Sequence, residues 1–171
     1  DELFLADNNV NGAQNELIFV VQFDGLNSQS WGGGTFMVHA PIGGSMDASQ
    51  FGVNGGWAGL RTTKALVDKF EYSVTGTNGD GHPTAWSDSR AMFHTDGQNY
   101  EMAKVAPFKE GYGVTKFKNV DVNGNAGSDS SGDHVDTDLA IIRLAEVYLN
   151  YAEAATKGAG SLSTAADLIN Q

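Results

Sequence analysis

The stretch 139–155, which reads LAIIRLAEVYLNYAEAA, constrains the fold most strongly because it is the longest periodic segment of the sequence. Polar residues recur along it at steps of three and four, and apolar residues fill the rest of the helical circumference. This pattern predicts an α-helix with a wide apolar face that ends near Gly158. Its start has two alternatives, because the β-branched pair Ile141 and Ile142 could stay extended and the helix could begin near Arg143.

A helix that is apolar over most of its surface needs neighbours to cover it. After a Gly-rich turn, a second helical pattern begins near Ser163, a plausible N-cap. We therefore expect a helical hairpin in residues 139–171, preceded by a loop-rich region of short strands and a helix in residues 1–138. Because the second helix has only about two turns, residues 1–171 are expected to form a single-domain fragment of a larger protein.

The first 138 residues show shorter patterns between polar, glycine-containing segments. The run Leu17–Phe23 predicts a buried strand, and Thr35–His39 predicts a short one. A helix is expected from Thr62 or Thr63 to about Glu71. Further short strands are expected at 90–94, 100–105 and 114–117, and a long polar loop at 121–138. The sequence thus predicts a mostly α fold with long irregular loops and small β elements.

Composition excludes several classes of function. The net charge is −11 with only ten Lys and Arg residues, which argues against nucleic acid and anionic lipid as partners. The chain has no cysteine, which excludes disulfides, thiol catalysis and cysteine-ligated metals. No apolar run approaches the roughly 20 residues that a membrane-spanning helix needs. An acidic chain with few charged residues suits a neutral partner such as a sugar.

The search for catalytic and metal-binding motifs is mostly negative. The segment 43–47 (GGSMD) matches only the first positions of a nucleophile elbow, and the four histidines are scattered. Two facing carboxylates could hydrolyse a glycosidic bond, but acidic residues are too numerous to choose a pair. The 121–138 loop resembles a calcium loop only loosely, because Ala126 and Gly132 stand where an EF-hand needs Gly and Glu. We expect no catalytic residue, no metal and no cofactor.

Aromatic residues in the loops are the strongest candidates for binding. An indole face stacks on the apolar C–H face of a sugar, while neighbouring amides and hydroxyls bond its hydroxyl groups. The alternative is that each ring fills the core beneath a long loop. The predicted ligand-binding residues are Trp31, Trp86, Tyr112, Trp57 and Asn27.

The C-terminal segment IRLAEVYLNYAEAA, followed by a Gly-rich turn and AADLIN, resembles the C-terminal half of the SusD/RagB family. Thr62 and Thr63 stand where that family usually has Pro-Thr. Four more segments resemble the family in the expected order: NELIFVVQF at 15–23, GGWAGLRTTKALVDKFE at 55–71, DSR at 88–90 and GYGVTKF at 111–117.

This resemblance implies a function as well as a fold. The family consists of outer-membrane glycan-binding lipoproteins with a TPR-containing fold, so the chain would be its C-terminal part. The resemblance implies non-catalytic binding of an oligosaccharide or polysaccharide at the cell surface, and delivery to a SusC-like TonB-dependent transporter. The lipid anchor would lie upstream of this chain. Two alternatives remain, a glycan-acting hydrolase and a helical scaffold that contacts only the transporter.

Overall fold

The computed structural model describes residues 2–170, in which short elements alternate with long connecting segments. Helices make up 29% of the chain and strands 17%, so the prediction of a mostly α, TPR-like fold is wrong. Helical periodicity is strong only near the C-terminus, and the Gly-rich segments elsewhere close small sheets instead. The α-helices of the described chain are α1 (Gly33–His39), α2 (Lys64–Val67), α3 (Leu144–Thr156) and α4 (Leu162–Ile169).

Short strands in residues 2–170 form three small antiparallel sheets, two of which join segments far apart in sequence. Within that range no helix is both long enough and apolar enough to cross a bilayer. The strand groups are β1 (Leu17–Val21) with β7 (Leu139–Arg143), β2 (Arg61–Thr62) with β6 (Tyr112–Val114) and β5 (Phe93–His94), and β3 (Val74–Thr77) with β4 (Pro83–Trp86).

The start of the long C-terminal helix follows the second of the two alternatives. Residues 139–143 form β7, and α3 begins at Leu144 directly after Arg143. The β-branched Ile141 and Ile142 favour an extended backbone, and pairing with β1 satisfies their strand. The prediction of a helix from residue 139 is therefore wrong for its first five residues and confirmed for the rest.

Strand β1 is confirmed, but its predicted burial is wrong. The side chains of Ile18, Phe19 and Val21 are exposed, as are Ile141 and Ile142 on the paired strand. No other part of residues 2–170 fully covers these side chains, which therefore stay open. We call these five side chains the open sheet face.

The predicted strand at Thr35–His39 is instead helix α1. Its buried residues are spaced as on one helical face, with Gly34 and Thr35 followed one turn later by Val38 and His39. Phe36 points to the surface. Burial of this stripe overrides the β preference of Thr, Phe and Val.

Other local predictions met mixed outcomes. The helix after Thr63 is confirmed at its start, and a 3-10 turn at Asp68–Ser73 extends α2. The strand expected at 90–94 is confirmed as β5, but 100–105 is irregular because the Glu110 carboxylate accepts a hydrogen bond from Ala103 N at 2.9 Å. The strand expected at 114–117 lies earlier, in β6.

The C-terminal helical hairpin is confirmed. Gly158 reverses the chain with φ +88°, a conformation that glycine adopts without strain. The cap of α4 is Ser161 rather than Ser163, because the Ser161 hydroxyl accepts a hydrogen bond from Thr164 N at 3.3 Å. The two helices meet closely through small residues, namely Ala152, Ala155 and Ala165.

The main core lies beneath loops rather than between layers. Its buried side chains come from α1 and from irregular segments before and after it, and they are Phe23, Val38, Ile42, Phe51, Val53 and Val135. The segment 135–138 runs through this core as the end of the long polar loop. Asp138 is almost fully buried there, and its carboxylate accepts a hydrogen bond from Phe23 N at 2.8 Å.

The buried Asp138 carboxyl gives the fold a predictable pH dependence. Burial raises the pKa of Asp138, partly offset by the Phe23 hydrogen bond, and the negative charge of Asp136 raises it further. A raised pKa means that the folded state holds the proton more tightly than the unfolded chain, so the ionised group costs stability at neutral pH. We expect Asp138→Asn, which keeps an oxygen for Phe23 N, to raise the unfolding temperature at pH 7. The gain should vanish near pH 3.

Asp129→Asn is the matched control with the opposite sign. Hydrogen bonds from the backbone and hydroxyl of Ser131 and from His134 N lower the pKa of Asp129 to about 2. This carboxylate therefore stabilises the fold at neutral pH, and the contribution is lost as the pH falls towards 2. Thermal unfolding from pH 2 to 8 measures both variants. A lower unfolding temperature for Asp138→Asn at pH 7 would contradict the argument.

Candidate functional site

The aromatic side chains of three loops and of helix α1 form one cluster, which we call the indole platform and define as Trp31, Phe36, Trp57, His39 and His134. The Trp31 and Trp57 rings lie 6.1 Å apart between centroids and are tilted by 52°. Phe36 lies 6.0 Å from Trp57 and His134 lies 4.5 Å from Trp31. Both indoles are open to solvent, with Trp31 55% and Trp57 41% exposed.

The buried His39 supports the platform from below. Its ring stacks on Trp57 at 5.2 Å with an angle of 16° between the planes. Its Nδ1 lies 2.8 Å from the Gly55 carbonyl oxygen, so the Nδ1–H donates to that carbonyl. Trp57 N in turn donates to the His39 carbonyl at 3.0 Å. Three contacts therefore fix the Trp57 turn to the end of α1.

The turn that carries Trp57 depends on a close backbone approach. A Cβ atom at Gly56 would lie 2.2 Å from the Ile42 carbonyl oxygen, whereas one at Gly55 would meet nothing within 4 Å. Ala58, next to Trp57, has φ +52° and its amide donates to the same Ile42 carbonyl at 2.9 Å. This geometry turns the Trp57 side chain outwards.

A polar loop borders the platform next to Trp31. The amide of Asn54 donates to the Ser131 carbonyl at 2.9 Å and to the Asp133 carboxylate at 2.6 Å. His134 N donates to the Asp129 carboxylate at 3.0 Å, which fixes the imidazole beside Trp31. Amide, hydroxyl and carboxylate groups thus stand beside two exposed aromatic faces. Such an arrangement suits a ligand with both C–H faces and hydroxyl groups.

The structure brings together only two of the five predicted ligand-binding residues. Trp86 is partly buried, edge-on to Phe93 at 5.3 Å, and no residue of 2–170 accepts from its buried indole N–H. Tyr112 is buried and its hydroxyl donates to the Pro83 carbonyl at 3.0 Å, so its ring is not at the surface. Asn27 is exposed, and its amide donates to the Asp24 carboxylate at 2.8 Å.

Sequence reasoning missed Phe36, His134 and Asn54. The β-prone residues around Phe36 predict a strand, although the buried positions 34, 35, 38 and 39 follow the spacing of one helical face. No local pattern links His134 to Trp31, because a hundred residues separate them and only tertiary packing joins them.

A catalytic serine is not assembled in the described chain. The Ser45 hydroxyl lies 3.2 Å from His94 Nε2 and donates to the Asp96 carboxylate at 2.6 Å. In a triad the acid holds the histidine, and the histidine takes the proton from the serine. Here Asp96 binds the serine proton itself, so histidine cannot act as the base in this arrangement.

One acidic cleft of the described residues is the natural place for a glycoside-hydrolysing acid pair. The cleft lined by Glu101 and Glu110 is the best candidate, but each carboxylate has a structural partner. Glu101 pairs with Lys64. Hydrogen bonding from Ala103 N, with a contribution from the Asn99 amide, lowers the pKa of Glu110, whereas a general acid needs a raised one.

The polar loop does not present a metal site. Within residues 2–170 no group of three or more acidic or histidine side chains could hold an ion. The carboxylates of the polar loop instead accept hydrogen bonds from the backbone. Asp121, for example, accepts from Asn123 N and Asn125 N, each at 2.8 Å.

The glycine pair before Trp57 gives a direct test of the platform. We expect Gly56→Ala to destabilise the fold by about 2 kcal/mol, because its methyl group forces the turn away from Ile42. Gly55→Ala is the control and should be nearly neutral, since nothing lies near its Cβ position. Urea unfolding measures both. Equal stability of the two variants would show that the turn does not depend on this approach.

Comparison with known proteins gives one consistent family. The sequence model of the SusD family matches residues 95–171. The chain is also similar to the starch-binding protein SusD of Bacteroides thetaiotaomicron, with 26% identity over 193 residues that cover 93% of this chain. The chain spans about a third of the length of that curated relative, 34%. Both comparisons agree with the sequence resemblance and support membership of the SusD/RagB family.

Proposed function

We propose that this chain binds a neutral oligosaccharide or polysaccharide on the indole platform and performs no chemistry on it. The observation that carries the proposal is the pair of exposed, mutually tilted indoles, Trp31 and Trp57, at 6.1 Å. The tilt allows two adjacent sugars of a bent chain to stack, one on each ring. Family membership supports the same class of ligand, since the curated relative is named as a starch-binding protein.

The charge around the platform favours a neutral ligand. Asp129 and Asp133 lie in the bordering loop, and the lowered pKa of Asp129 keeps it ionised over the physiological range. Their oxygens accept hydrogen bonds from sugar hydroxyls but repel carboxylate or sulfate groups. Each such hydrogen bond replaces one to water, so the net gain per bond is small, about 1 kcal/mol. The expected affinity per site is therefore modest.

The larger context is also a proposal, supported by family membership and by the open sheet face. The chain would form part of a longer protein at the cell outer membrane, held by an upstream lipid anchor. It would deliver glycan to a SusC-like TonB-dependent transporter. Exposed apolar residues gathered on paired strands mark a surface that another protein segment covers.

The alternatives receive less support from the site. A hydrolase needs an acid with a raised pKa in an open cleft, whereas the pKa of Glu110, in the cleft it shares with Glu101, is lowered. A scaffold that contacts only the transporter does not require two exposed indoles, one of which, Trp57, stacks on the buried His39.

Substitution of the two indoles tests glycan binding. We expect Trp31→Ala and Trp57→Ala each to lower affinity for a neutral glycan at least roughly tenfold, because each removes one stacking surface. Isothermal calorimetry with starch-derived and other neutral oligosaccharides measures the loss.

Trp86→Phe is the control, because it keeps an aromatic ring against Phe93 and lies outside the platform. Its affinity should match that of the unmodified chain. If the unmodified chain binds glycan and both alanine variants bind equally well, the platform is not the site. If no neutral glycan binds, the proposed function of this chain is wrong.

A further inference from the structure

One cavity shares no residue with the indole platform and, unlike the loop beside the platform, is lined by cations. Its volume is about 580 Å³, within the usual range of roughly 300–1,000 Å³ for small-ligand sites. Its lining includes the rings of Phe4, Phe70 and Phe93. Four of the ten Lys and Arg residues of this acidic chain line it, and no acidic residue within 2–170 does; the four are Lys69, Arg90, Lys116 and Arg143. We call this the basic cavity.

Two of the four cations already have acidic partners. Arg90 makes a bidentate contact with Asp88, with its Nη2 2.7 Å from the carboxylate. Arg143 lies 3.3 Å from the Glu16 carboxylate. Neither Lys69 nor Lys116 has a carboxylate within 4 Å among residues 2–170. The cavity therefore holds excess positive charge.

Lys116 is the cation that would benefit most from an anion. Its ammonium lies over the Phe4 ring at 3.9 Å from the centroid, and Arg143 lies over the same ring at 5.8 Å. Burial lowers the pKa of Lys116, and the nearby Arg143 charge lowers it further, with Glu16 opposing. A partly buried ammonium beside a second cation is stabilised by a negative group between them.

We propose that the basic cavity binds the uronic acid residue of an acidic glycan. The phenylalanine rings would take the C–H face of the pyranose, and Lys116 with Lys69 would pair with its carboxylate. The choice of a sugar acid over other organic anions rests on the proposed function. The cavity itself requires only an anion with a compact apolar face.

The test compares trigalacturonate with its methyl ester, which has the same rings without the charges. We expect calorimetry at low salt to show binding of the acid and at least tenfold weaker binding of the ester. Lys116→Met should reduce acid binding at least tenfold, since it keeps an unbranched apolar stem but removes the charge. Lys69→Met, at an exposed position, should give a smaller loss.

Lys104→Met is the matched control, because this exposed lysine makes the same change in net charge but does not line the cavity. It should bind trigalacturonate as the unmodified chain does. No binding of the acid by the unmodified chain would overturn the inference. So would equal loss in Lys104→Met and Lys116→Met, which would indicate non-specific charge attraction.

The indole variants separate this inference from the proposed function. Trp31→Ala should lose neutral glycan and keep trigalacturonate, while Lys116→Met should do the reverse. If Trp31→Ala loses trigalacturonate binding and Lys116→Met does not, the acid binds on the platform and the basic cavity is refuted as its site. If trigalacturonate binds and no neutral glycan does, the platform is refuted as a neutral-glycan site and the basic cavity is still supported.

Discussion

Two buried asparagine side chains hold distant segments of this fold together, because few regular backbone hydrogen-bond ladders connect them. Asn119 is fully buried; its amide donates to the Gly52 carbonyl at 3.1 Å, and its oxygen accepts from Asp136 N at 2.9 Å. Asn8, also fully buried, accepts from Asp138 N at 3.2 Å and donates to the Asp138 carbonyl at 2.9 Å. In a larger sheet, backbone ladders would satisfy these groups. Here side chains take that role, and loss of either amide would leave buried backbone groups without partners, at roughly 1–3 kcal/mol each.

The segment 135–138, which these amides fix, connects the core to the platform. Val135 packs in the main core, and the Thr137 carbonyl approaches Gly34 of α1 so closely that a Cβ there would lie 2.4 Å from it. His134, one residue before this segment, is thereby placed beside Trp31. The same helix ends in His39, which supports Trp57. Both indoles thus depend on α1 and on its contact with 135–138, although they come from different loops.

The sequence predicted the elements whose signal is local and missed those that depend on distant packing. The α3 helix, the hairpin and the β1 strand follow from periodicity and turn residues. Of the aromatic residues that loop position suggested as binding residues, Trp31 and Trp57 are exposed. The residues of helix α1 favour a strand by their intrinsic propensity. They are helical because a helix buries Thr35 and Val38 on one face. Tyr112, flanked by glycines, suggested a loop but lies in the central strand of a sheet. The local sequence does not distinguish helix from strand or strand from loop at these positions, because contacts with segments far along the chain determine which side chains are buried.

The separation of charge over the surface bears on which ligands the chain can distinguish. The platform is bordered by the carboxylates of Asp129 and Asp133, whereas the basic cavity carries two lysines without an acidic partner in residues 2–170. Coulomb attraction between exposed charges weakens as ionic strength rises, while stacking on an indole does not depend on it directly. Binding at the two places should therefore respond differently to salt. A glycan that carries both neutral and acidic sugars would gain from both only if its chain can reach from one to the other, so its length as well as its composition would set its affinity.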